Sequence, residues 1–285
     1  MSDYANPHAL VSAEWAQQHL DDPGVRFVEV DVDTAAYAQG HIPGAVGWNW
    51  ETQLSDRIRR DIVGRDELAE LLSTSGIGPD THIVLYGDNH NWFAAWAYWQ
   101  LGLHGITDVS LLDGGRAYWL ARGLPITTDV PTYPPTHISV SPPDFATRAF
   151  QRDVADVLGA PDLALVDVRS PAEYAGEVVA PPGMNETAQR AGHIPGAASA
   201  PWALTVNEDG TFRSADELRL HYEAKGVTAD KDIVAYCRIG ERSSHSWFVL
   251  HELLGYERVR NYDGSWTEWG SIIGAPIENP AKAGA

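Results

Sequence analysis

The sequence predicts an α/β protein of two tandem domains, each a parallel sheet flanked by helices on both faces. Three observations carry that prediction. The hexapeptide GHIPGA occurs twice, at Gly40–Ala45 and Gly192–Ala197. Ile83–Tyr86 recurs as Ile233–Tyr236, and LLDGG at Leu111–Gly115 as NYDGS at Asn261–Ser265, both at an offset of 150, with Trp119 matching Trp269. In each half, β-rich runs alternate with segments of helical period, the pattern of a parallel sheet with crossover helices. The repeat, roughly 140 residues, is too long for a solenoid unit and fits a duplicated domain.

Taken in order, the first domain is expected over 1–130, a linker over 131–143 and the second domain over 144–285. Val28, Glu29, Val30, Asp31 is paired with Leu165, Val166, Asp167, Val168, and Ala36, Tyr37 with Glu173, Tyr174, each set leading to a GHIPG turn. His41 and His193 sit in both turns, so they read as fold rather than mechanism. Tyr37 precedes His41 by four residues but Tyr174 precedes His193 by nineteen, which marks an insertion over 175–192 containing Pro181, Pro182, Gly183 and Arg190. It is a candidate substrate lid or a plain surface loop. Pro125–Pro143 holds six prolines and reads as an extended linker wrapping the surface. After Ile233–Tyr236 comes Cys237, then a helical segment to Gly255. Trp247, Leu250 and Leu254 form one face of it, Ser243 or Ser244 can cap its start, and Gly255 suits a left-handed stop.

Lys plus Arg total 20 against 39 Asp plus Glu, a net charge of −19 that argues against nucleic acid and anionic membrane as partners. The start of the chain lacks a basic region followed by an apolar one, so no secretory signal is expected. Trp92–Trp99 is too short to span a bilayer. A single cysteine cannot form an internal disulfide, and a reducing cytoplasm is the expected compartment. Eleven histidines without HxxxH or HxH spacing offer no closed ligand set, so no metal is expected.

Cys237 lies between a strand and a helix, where backbone N–H groups converge and negative charge is favoured. With Arg238 and Arg242 nearby, the thiol pKa is expected to be lowered and the thiolate to be a strong nucleophile. The repeat places Gly87 where the second half has Cys237, so chemistry is expected in the second half alone. The first-half loop, GDNHNWF, has no arginine; its Asn89, His90 and Asn91 cap the following helix or face a cleft.

CRIGERS after a strand resembles the active-site loop of the rhodanese family, in particular its two-domain bacterial thiosulfate sulfurtransferases, and the similarity runs over essentially the whole chain. The resemblance implies two rhodanese-like domains, the first without its cysteine. It implies that Cys237 takes up a sulfane sulfur as a persulfide, with Arg238, Ile239, Gly240, Glu241, Arg242 and Ser243 as the cradle and no cofactor. Thiosulfate would be the donor, cyanide or a thiol the acceptor, and sulfite the product of a double displacement without a general base. On this reading Arg242 neutralises the sulfonate, Arg238 supports it, and Arg190, upstream of the GHIPG turn, also binds the anion. Vertebrate-type rhodaneses place an arginine inside that turn where this chain has Pro195. Asp167 and Arg169 resemble a structural pair, with Arg169 reaching Glu173.

Three other readings bear on the same residues. Mercaptopyruvate sulfurtransferases are similar, but have small residues where Arg238, Ile239 and Glu241 stand. Cysteine phosphatases put five residues between cysteine and arginine, whereas here four separate Cys237 from Arg242, and Glu241 would repel a phosphate dianion. A persulfide carrier or binding module serving one protein acceptor would look the same in sequence.

Overall fold

The computed structural model describes residues 3–181, 183 and 188–282. They form two compact units. One comprises Pro7–Asp144 with Glu208–Phe212; the other runs from Phe145 to the C-terminal end apart from that segment, and takes in the stretch up to Asn6. The expected linker 131–143 thus belongs to the N-terminal unit. Along it the Tyr133 ring lies under the Arg26 guanidinium at 3.3 Å, the Tyr133 hydroxyl donates to the Gly44 carbonyl, and the backbone N–H groups of Thr136 and Asp144 donate to Ser73 and Leu103 carbonyls. Proline removes donors along this stretch, so it is tied down residue by residue rather than by a ladder.

In the N-terminal unit the strands are β1 (Leu10–Val11), β2 (Val25–Asp31), β3 (Val46–Asn49), the hairpin β4 (Ser55–Asp56) and β5 (Asp61–Ile62), β6 (His82–Tyr86) and β7 (Val109–Leu112). Between them lie α1 (Ala13–Gln18), α2 (Ala35–Gln39), α3 (Trp50–Gln53), α4 (Arg65–Thr74), α5 (Asp88–Leu103) and α6 (Gly115–Ala121). The main sheet has order β1-β7-β6-β2-β3 with every neighbour parallel. β2 is buried along its whole length, as a strand covered on both faces must be. Phe27, Val84, Tyr86, Leu112 and Trp119 share one core cluster.

The C-terminal unit repeats the plan with β8 (Arg148–Ala149), β9 (Leu163–Asp167), β10 (Ala198–Ser199), β11 (Asp232–Tyr236) and β12 (Val259–Tyr262), interleaved with α7 (Gln151–Asp156), α8 (Pro171–Ala175), α9 (Ala215–Glu223), α10 (Glu241–Phe248) and α11 (Ser265–Trp269). Its sheet is parallel in the order β10-β9-β11-β12-β8, the same arrangement strand for strand. Leu165, Val234, Tyr236, Tyr262, Trp266 and Trp269 fill the corresponding core.

Strand register corrects one alignment. Glu29 pairs across to Tyr86, and Asp167 to Tyr236, so Glu29 is the counterpart of Asp167 and the pairing by sequence was one residue out. Both carboxylates are buried and each is met by a buried guanidinium, but from different elements. Arg116 of α6 bonds Glu29 at 2.8 Å and the Gly40 carbonyl; Arg169, just past β9, bonds Asp167 at 2.6 Å and the Gly192 carbonyl. The glycine in both cases opens the GHIPG turn. Trp266 takes the place of Arg116 in the repeat, and the Arg169 guanidinium packs over its ring at 4.7 Å. Each turn is also held by its histidine. His41 and His193 stack on Tyr37 and Tyr174, and Tyr86 and Tyr236 hydroxyls accept the Ile42 and Ile194 N–H groups.

Candidate active site

Cys237 follows the last residue of β11 and is fully buried. Strand pairing on both sides fixes β11, and the loop Arg238–Gly240 turns the chain into α10. Gly240 makes that turn at φ 105°, a left-handed conformation that favours glycine. The helix therefore begins at Glu241 with Gly240 in the cap position, ahead of the expected caps Ser243 or Ser244. Ser243 and Ser244 instead lie in the first turn, where both hydroxyls point back to the Gly240 carbonyl and Ser243 donates to Asn261 Oδ1 at 2.6 Å. The α-helix passes at Val249 into a π turn to Leu253, and Gly255 follows at φ 72°.

Around Sγ the contacts are close. The Gly240 N–H donates to it at 3.2 Å, the thiol donates to Glu241 Oε2 at 3.2 Å, and the Ser243 hydroxyl stands 3.6 Å away. The Cys237 N–H donates to Ser265 Oγ, which in turn donates to the Tyr262 carbonyl. Ser265 is buried at φ 52°, where the repeat has Gly115 at φ 57°. A serine held in a conformation glycine adopts freely is the sign, visible only by comparing DGG with DGS, that its hydroxyl is used. Sequence reasoning missed it, and missed Asn261.

The thiol pKa departs from expectation. Burial pushes the Cys237 thiol up and Glu241 adds to the rise, against the charge of Arg242 and hydrogen bonds from Ser243. Desolvation disfavours the charged form, and here it outweighs the field of the loop.

The arginines are also placed differently from expectation. Arg242 forms a two-pronged pair with Glu173 of α8, 2.9 and 3.0 Å, with its Nε 3.7 Å from Glu241 Oε1. Its fork thus braces the loop rather than standing open to a sulfonate. Glu173 was expected to meet Arg169, but Arg169 is taken by Asp167. Burial works against ionised Glu173, yet the bonds and charge of Arg242 leave its pKa below the ordinary value. Arg238 is buried and lies 3.6 Å from Glu241 Oε1. Ile239 is buried beside it. Arg190, expected to bind the anion, donates to the Gly270, Ala275, Trp269 and Ile272 carbonyls. It closes the end of α11. Pro182 of the insertion lies outside the described residues.

The N-terminal loop is built to exclude a cysteine. A Cβ on Gly87 would collide with the Val30 carbonyl oxygen and crowd Asp31 Oδ1. Asn89, His90 and Asn91 all adopt left-handed conformations, and Asn91 does not cap a helix. Its amide accepts the Gly87 N–H and donates to the Leu112 carbonyl, filling the loop. Among the described residues no group of three or more His, Cys, Asp or Glu could hold a metal ion, and no helix is long and apolar enough to cross a membrane.

The chain matches the rhodanese-like domain model twice, over residues 12–122 and 150–272. A Haloferax volcanii protein named "Putative thiosulfate sulfurtransferase" is 54% identical over 97% of this chain and 98% of its own. The Thermus thermophilus sulfur carrier protein TtuD is 53% identical over 96% of this chain and 98% of its own. Among solved structures, an EanB variant carrying a cysteine persulfide, with ergothioneine, superposes with TM-score 0.83 at 28% identity, over 98% of this chain and 72% of that one. The chain is thus a member of the rhodanese family of sulfurtransferases, with two rhodanese-like domains in tandem.

Proposed function

We propose that the C-terminal unit moves the sulfane sulfur of thiosulfate to cyanide or a thiol acceptor through a persulfide on Cys237, releasing sulfite. The observation that carries this reading is Sγ lying beneath a short loop with the Gly240 N–H aimed at it. A donor so placed stabilises negative charge on sulfur as an oxyanion hole does on oxygen. In the first step Cys237 sulfur attacks the outer sulfur of thiosulfate; a new S–S bond forms, the bond to the sulfonate sulfur breaks, and its electron pair leaves with sulfite. In the second, the acceptor attacks the outer sulfur and Cys237 keeps the electron pair. No resident cofactor enters either step. The names of the relatives and the persulfide in the EanB neighbour support the scheme. Thiosulfate ranks above mercaptopyruvate because Arg238, Ile239 and Glu241 make this loop bulkier and more charged.

A second reading, delivery of the persulfide to one protein acceptor, is favoured by the similarity to TtuD. Intact-protein mass spectrometry tests the shared step. Excess thiosulfate should add one sulfur atom, cyanide should remove it as thiocyanate, and Cys237→Ser should abolish it. An unchanged mass with turnover of an aryl phosphate would overturn the assignment. Rapid turnover to cyanide and dithiols marks the enzyme, whereas a stable adduct that small acceptors barely discharge marks the carrier.

A further inference from the structure

The chemistry just proposed needs an ionised sulfur, and Cys237 Sγ is fully buried against the carboxyl of Glu241. Glu241 stands where the thiol proton must go. Its Oε2 accepts the thiol hydrogen at 3.2 Å, and its Oε1 is buried without a hydrogen-bond partner. The carboxylate is closed off from solvent. We propose that Glu241 is the proton acceptor for Cys237 during sulfur loading and keeps that proton while the persulfide stands, an inference that rests on the sulfurtransferase reading.

The charges support this assignment. Thiol beside carboxylate and thiolate beside carboxylic acid each carry one negative charge; thiolate beside carboxylate carries two in a dry site and is disfavoured. Loading is then written as Cys–SH plus Glu–COO⁻ plus thiosulfate dianion, giving Cys–S–S⁻ plus Glu–COOH plus sulfite dianion. The Cys237–Glu241 pair carries one negative charge before and after. The proton returns to Cys237 when the acceptor removes the outer sulfur. The charged groups facing the pair are Arg238 and Arg242, 3.6 and 3.7 Å from Oε1, and Glu173 of α8 beyond Arg242. β12 and the turn after it face the site with Asn261 and Ser265, and β9 brings Asp167 already closed on Arg169. His245 of α10 meets the edge of Trp202 from the segment packed there.

The test is single-turnover loading of the full chain by thiosulfate against pH, read as mass gain at Cys237, in the native protein and Glu241→Gln. Native loading should be flat across about pH 6 to 8, since the pair carries its own base. Glu241→Gln should be slower by at least about tenfold at pH 6 and recover by about tenfold per pH unit as the thiol ionises to solvent. Parallel profiles, or a Gln variant that loads faster at pH 6, would overturn the proposal and reduce Glu241 to a brace or an obstacle. If the Gln variant melts far below the native protein, Glu241→Asp decides: a flat profile supports the role and a rising one sinks it. Native protein that gains no sulfur would remove the sulfurtransferase reading itself; normal native loading with parallel profiles removes only the role of Glu241.

Discussion

Arg242 and Glu173 show how a charged residue beside a nucleophile can be occupied. Both are buried, and two hydrogen bonds join them. Removing one partner of such a pair leaves a buried charge without compensation, at a cost of about 3–5 kcal/mol. Arg242→Ala and Glu173→Ala should each destabilise the C-terminal unit by that order in urea unfolding, and Arg242→Ala should slow sulfur loading and sulfur release together. A loss confined to loading would show instead that Arg242 holds the sulfonate. Two carboxyls give pH dependences of opposite sign. Glu173 ionises more easily folded than unfolded, so its contribution is present above the ordinary carboxylate range and is lost as pH falls through its lowered folded value. Burial, with Glu29 and Asp88 nearby, pushes Asp31 up to about 8. It binds its proton more tightly folded, so its contribution is full in acid and declines as pH rises toward 8. Asp31→Asn should remove the decline in stability of the N-terminal unit between the ordinary aspartate range and about pH 8, and an unaltered slope in that window would contradict the assignment.

At the scale of elements, the same strand–loop–helix connection is built twice with opposite outcomes. β11 leads through Cys237 into a turn whose amide reaches Sγ; β6 leads through Gly87 into three left-handed residues closed by Asn91. Because the Val30 carbonyl occupies the room a Cβ needs, Gly87→Cys should destabilise the N-terminal unit by about 1–3 kcal/mol. The double variant Gly87→Cys, Cys237→Ser should take up no sulfur from thiosulfate; a sulfur adduct by mass would refute this. The paired guanidiniums carry a similar lesson. The buried carboxylate of β2 or β9 and the glycine carbonyl of the GHIPG turn need a bidentate cation in both units, and α6 supplies it in one while the residue just past β9 supplies it in the other.

For the whole molecule the relevant quantity is the net charge of −19. Within the loop, Arg238 and Arg242 are offset by Glu241 and Glu173, so little local positive field remains to draw a dianion. The summed field of the protein then repels thiosulfate, and screening acts on that repulsion. Inert salt raised from about 10 to 150 mM should speed second-order loading severalfold. Stopped-flow loading that slows with salt would mean that a positive field at the loop prevails.

The doubled α/β plan is legible in the residues alone, because side-chain period and turn glycines are local properties and a repeat displays them twice. The residues alone also single out Cys237, through its place between a strand and a helix and the contrast with Gly87. Which carboxylate each arginine meets was decided only in the tertiary structure. Glu173 is far from Arg242 along the chain, and Arg190 reaches carbonyls some eighty positions away, contacts that no local pattern encodes. The thiol belongs with these. The helix start and flanking arginines favour the thiolate, but burial and the adjacent Glu241 prevail, since desolvation depends on everything packed around the sulfur.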